Sequence, residues 1–90
     1  MMKKSNITAE KQLLLKKLSM ANSGDEGRIV SVHGDNRFLS RITSMGLTIG
    51  SAINVIQNEN KRPILVHARD TMIAINRKEC EKILLEVMEK

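Results

Sequence analysis

Ninety residues, 41% hydrophobic and 28% charged with Phe38 as the single aromatic, describe one small aliphatic-cored domain and exclude a second core. The formal charge of +5 is dispersed, five lysines against three acids in residues 1 to 26 and ten bases against seven acids thereafter, which marks solvated faces and not a phosphate-binding stripe. The lone Cys80 excludes an intrachain disulfide and fits a reducing, cytoplasmic compartment, while Leu13-Leu14-Leu15 is too short an apolar run for a signal peptide or a membrane span.

In chain order, Ile7 to Leu18 sets Ile7, Leu14 and Leu18 on one side at helical spacing, with lysines toward the C-terminal end, and predicts a short N-terminal helix. A helix of about three turns is not stable alone, so it is expected to dock as an extension over residues 1–17. Residues 18–90 then form the domain proper. Asn22-Ser23-Gly24-Asp25-Glu26-Gly27 is a turn cluster, and the β-branched segment Arg28 to His33 predicts a first strand with Val30 and Val32 on one face. Asp35 is placed to cap a helix on which Phe38, Leu39, Ile42 and Met45 share one face. Gly46 falls where a left-handed residue stops that helix, and Leu47 falls where it folds back onto Ile42.

Three strands follow, Ala52 to Gln57, Ile64 to Ala68 and Met72 to Ile75, with Ile53 and Val55 sharing one face and Ile64 and Val66 another. The polar loop Asn58 to Pro63 and the tight turn Ala68-Arg69-Asp70-Thr71 join them as a meander. Asn76 is expected to cap a last helical turn running to Lys82, after which Ile83, Leu85 and Val87 alternate as a closing strand that seals an edge. Five short strands with one short helix inserted after the first make a mainly β fold, a small and partly closed barrel.

This order of elements resembles the ferrous-iron transport protein A family. The matching residues are Leu18-Ser19, Gly24, Gly27-Arg28-Ile29-Val30, Arg41-Ile42, Met45-Gly46-Leu47, Gly50, Ile53, Val55, Pro63-Ile64, Ala74-Ile75, Cys80 and Ile83, within residues 18 to 87. Two turn positions depart from the family pattern, Arg62 before Pro63 and Ala68 in the later hairpin, where glycines are usual. The resemblance implies a small SH3-like β-barrel and a cytoplasmic accessory role in bacterial ferrous-iron uptake. Its implied partner is the cytosolic domain of the ferrous-iron permease, a membrane GTPase, with no cofactor, no nucleic acid and no membrane insertion of its own.

The expected partner-binding residues are Arg37, Arg41 and Ser44 on the exposed side of the helix, with Met45 and Leu47 beside them. Gly27, Gly46 and Gly50 are expected to be structural. His33, His67 and Cys80 are the only soft or borderline metal ligands, and none belongs to a local chelate, so no metal site is expected; His67 with Asp70 is the weak exception. Cys80 reads as a small buried hydrophobe. No nucleophile elbow is present, and Gly24-Asp25-Glu26-Gly27 lacks the lysine of a P-loop, so a binding module that does not hold GTP is expected, not an enzyme. Two other functions compete. A nucleic-acid-binding barrel is opposed by the dispersed charge and the lack of stacking aromatics; a transition-metal carrier or sensor would have to gather His33, His67 and Cys80 by folding.

Overall fold

Aliphatic residues at every second position make a strand bury one face and wet the other, and this chain repeats that pattern in most of its strands. The computed structural model describes residues 13–88, in which six strands form: β1 Leu13–Lys17, β2 Glu26–Val32, β3 Ala52–Gln57, β4 Ile64–Ala68, β5 Thr71–Ile75 and β6 Ile83–Met88. Helix α1, Asn36–Ser44, lies between β2 and β3; the single turn α2, Arg77–Cys80, lies between β5 and β6; and a 3-10 turn, Leu18–Met20, follows β1. The strand order is β1-β6-β2-β3-β4-β5, with every neighbouring pair antiparallel. The expected β3-β4-β5 meander is present, and Ile53, Val55, Ile64 and Val66 all face the core.

Three expectations are corrected. Residues 13–17, assigned to a helix, form β1, which pairs with β6 from Leu13 opposite Met88 to Lys17 opposite Leu84. Pairing with the edge of β6 satisfies the backbone groups on the facing side of β1, cooperatively with the sheet, which outweighs the propensity of so short a helix. Residues 7–12 of that expected helix lie outside the described residues. The strands among the described residues therefore number six, and β6 is flanked by β1 and β2 instead of sealing an edge; Ile83, Leu85 and Val87 alternate onto its core face and are all buried. In β2 the buried residue is Ile29 and not Val30: the pairing with β6 shifts between Ile29 and Ser31, leaving Val30 as an extra residue. This bulge resets the alternation, so Ile29 and Val32 both reach the core three residues apart.

At Gly27, paired with Val87, β2 lies close against the backbone of β6. A Cβ there would lie 2.4 Å from the Glu86 carbonyl oxygen, so only glycine fits. Leu18, Ile42 and Leu47 close the core from outside the sheet, each at most 1% exposed, and each contributes about 1.5–3 kcal/mol of apolar burial. Among the described residues, no helix is long and apolar enough to cross a membrane.

Candidate functional site

Helix α1 is fixed at both ends by its own sequence. The Asp35 carboxylate accepts from the Phe38 amide at 2.9 Å, satisfying a donor the helix cannot. At the other end Gly46, with φ +90°, donates to the Thr43 carbonyl at 2.9 Å, and Leu47 donates to the Ile42 carbonyl at 3.1 Å. These two bonds make the Schellman stop expected from the sequence, and Leu47 packs beside Ile42 in the core. Phe38 and Ile42 are buried and Leu39 and Met45 half-buried, so the opposite face of α1 is turned outward.

That outward face carries Arg37, Arg41 and Ser44 at helical spacing, all exposed. Arg41 is not a free surface arginine: its guanidinium pairs with the Glu79 carboxylate on α2. The Glu79 side chain is 10% exposed against 57% for that of Arg41, so the acid is buried and the base is half in water. The second carboxylate oxygen of Glu79 is buried with no protein partner. Arg41 is thus the group that makes this carboxylate tolerable at the α1–α2 junction. Beside it, the Lys82 ammonium stands 4.8 Å from the centre of the Phe38 ring, a second cationic link between α1 and the segment leading into β6. The Ser44 hydroxyl donates back to the Arg41 carbonyl at 2.7 Å. A shallow concavity of about 430 Å³ runs along the flank of the helix, lined by Asn36, Leu39, Ser40, Thr43 and Ser44.

Of the five expected partner-binding residues, the fold gathers Arg37, Arg41 and Ser44 on one face, with Met45 half-buried at its edge. Leu47 does not belong with them. It is 1% exposed because the Schellman turn folds it inward, and it offers no surface to a partner. Gly50 also has positive φ, and its backbone ties the loop after α1 to β2 through the Ile29 carbonyl at 2.7 Å and the Arg28 guanidinium at 3.0 Å.

The soft ligands are held apart in character. His33 is exposed with its Nε2 3.2 Å from the Ser31 hydroxyl, His67 is half-buried in β4, and Cys80 is fully buried with its Sγ donating to the Ile75 carbonyl at 3.6 Å. Burial pushes the Cys80 thiol from its ordinary 9.0 up to about 12, with Arg77 nearby opposing the rise, so it stays protonated at neutral pH. Among the described residues, no group of three or more His, Cys, Asp or Glu side chains is arranged to hold a metal ion.

Sequence reasoning missed two positioning groups. Glu79 looked like one more member of an alternating charge run, though its place three residues after the Asn76 cap was a signal: Asn76 accepts from the Glu79 amide at 2.8 Å and fixes its backbone. Asn58, read as loop, clasps two segments to its own. Its amide nitrogen donates to the Ala21 and Ser19 carbonyls at 2.5 and 3.3 Å, and its oxygen accepts from Arg77 at 2.5 Å.

Six antiparallel strands with a short inserted helix, wrapped on one aliphatic core, define an SH3-like small β fold. The sequence matches the FeoA domain over residues 16–87, and the chain belongs to that family, which is associated with Fe(2+) transport. It is 33% identical over 69 residues to a putative Fe(2+) transport protein A of Methanocaldococcus jannaschii, covering 77% of this chain and 83% of that protein. A fusion of Fe(2+) transport protein A with the Fe(2+) transporter FeoB from Porphyromonas gingivalis is 33% identical over 73 residues, covering 80% of this chain and 9% of the fusion. Among solved structures, the crystal structure of an iron uptake regulatory protein, FeoA, superposes with a TM-score of 0.79 at 26% identity, covering 82% of this chain and 99% of that one.

Proposed function

We propose that this chain is a cytoplasmic accessory protein of ferrous-iron uptake, a binding module without catalytic activity, that docks on the cytosolic part of the ferrous-iron permease. The observation that carries the reading is the Porphyromonas gingivalis fusion, in which a relative of this chain and a Fe(2+) transporter share one polypeptide. Covalent linkage of two proteins raises their effective concentration, which serves a pair that binds each other.

The docking surface in this reading is the outward face of α1, with Arg37 and Ser44 presented to the partner and Met45 at the apolar margin. Arg41 contributes its half-exposed guanidinium while remaining tied to Glu79, so it arrives at the interface already oriented. Arg41→Glu would set two carboxylates against each other and disturb the fold, whereas Arg37 is exposed and has no such duty. The decisive experiment titrates the purified chain against the permease's cytosolic portion by calorimetry, with and without guanine nucleotide. Saturable binding is expected, weakened about tenfold by Arg37→Glu through lost charge complementarity. No binding in either nucleotide condition, or binding indifferent to the substitution, overturns the reading.

A further inference from the structure

The strand β1 is the last of the sheet: β6 pairs with one side of it, and among the described residues no strand pairs with the other. Its first three residues are leucines, 53%, 38% and 65% exposed. A free row of backbone donors and acceptors flanked by exposed leucines is a template for strand addition. The usual protections are thin here. The pairing of β1 with β6 runs without a bulge, the strand has no proline, and Lys16 is neutralised by Asp25 at 3.0 Å. Lys17 alone stands as an exposed charge on this strand.

We propose that this edge is a self-association site, at which β1 of two copies pair antiparallel across a two-fold axis at Leu15. Only one antiparallel register pairs all five residues of β1 with a second copy: Leu13 meets Lys17, Leu14 meets Lys16 and Leu15 meets itself. That register sets no lysine against a lysine. Moving the axis to Lys16 opposes two Lys16 side chains, and moving it to Leu14 shortens the pairing. Leu13, Leu15 and Lys17 alternate onto the outer face, opposite Met88, Glu86 and Leu84 of β6. Across the axis the two Leu15 side chains are direct neighbours, and each has Leu13 of the other copy on its diagonal. Met88, 48% exposed and opposite Leu13, widens this apolar cluster within each copy. Lys17 lies over Leu13 of the second copy with its aliphatic stem while its ammonium remains in water. The two-fold contact closes on itself, whereas addition of β1 to β5 of another copy is a head-to-tail contact that leaves an unused edge on each terminal copy.

Sedimentation velocity of the full chain from micromolar to millimolar concentration tests this. The mass is expected to rise from 10.1 kDa to twice that value, and added salt is expected to favour the dimer because each copy carries +5. Leu15→Lys is expected to weaken association about tenfold or more, because like charges then stand directly opposite. Met72→Lys, at an exposed position of β5, is expected to leave it unchanged. Leu15→Cys is expected to be cross-linked into a disulfide dimer by the thiol oxidant diamide, while the unaltered chain, whose Cys80 is buried, is not. Both Leu15 variants alter a side chain 65% exposed, and circular dichroism checks that they stay folded. A chain monomeric to millimolar concentration, a dimer indifferent to Leu15→Lys, a dimer lost in Met72→Lys, or assembly beyond two copies overturns the proposal.

Discussion

Glu79 is the one buried charged residue among the described residues, and its carboxylate depends on a single guanidinium. Removing that guanidinium leaves a buried anion without a counter-charge, the costly half of a broken ion pair. Because the Arg41 side chain is 57% exposed, water screens part of the interaction, and Arg41→Met is expected to destabilise by about 1–2 kcal/mol in urea titration. Adding Glu79→Gln is expected to recover most of that loss, since a neutral amide needs no counter-ion; a double variant weaker than the single one would contradict this account. Cys80 carries the opposite case, a neutral thiol that the core keeps neutral. Its folded pKa lies above the unfolded one, so its contribution is complete below pH 9 and is lost as the pH climbs from 9.0 toward about 12. Above pH 9 stability is expected to fall with a Cys80-dependent slope approaching about 1.4 kcal/mol per pH unit, and Cys80→Ala is expected to remove that part of the slope. Denaturation series at pH 8, 9 and 10 on both chains measure it.

Among the elements, α1 shows local chemistry and tertiary packing in agreement. Asp35 starts it, Gly46 stops it, and the same residues that give it a helical period give it a buried face. The β4–β5 hairpin shows a conflict. Arg69 and Asp70 both adopt positive φ, 52° and 63°, the conformation of a two-residue turn that matches the twist of its strands. Such turns favour Asn-Gly or Asp-Gly, and a residue with a Cβ is strained there by about 1–2 kcal/mol. The turn was legible in Ala68-Arg69-Asp70-Thr71; its strain was not, because the type follows from strand twist and pairing register. Asp70→Gly is expected to stabilise the chain by about 1 kcal/mol, seen as a higher urea midpoint with an unchanged slope. Lys61, in the loop between β3 and β4, likewise holds positive φ, 64°.

At the scale of the molecule, β6 is the organising strand, since it joins β1 to the rest of the sheet through β2. A chain beginning at Leu18 would strip β1 away and expose the edge of β6 beside Leu85 and Val87. Such a truncation is expected to lose at least about 2 kcal/mol and several degrees of melting temperature, and an unchanged melting curve would show that β1 is an appendage. What the sequence by itself determined is local: the alternation that buries Ile53, Val55, Ile64 and Val66, the caps at Asp35 and Asn76, the glycine stop at Gly46, and the pattern that marks the FeoA domain. These follow from a few neighbouring residues and need no knowledge of what lies across the core. Only the tertiary structure decided that Leu13–Lys17 is a strand, that Val30 is a bulge and that Arg41 answers Glu79. Each of those depends on a partner distant in sequence, β6 for the first two and α2 for the last, and the free energy that settles them is the satisfaction of buried backbone and charge by groups a local window does not contain.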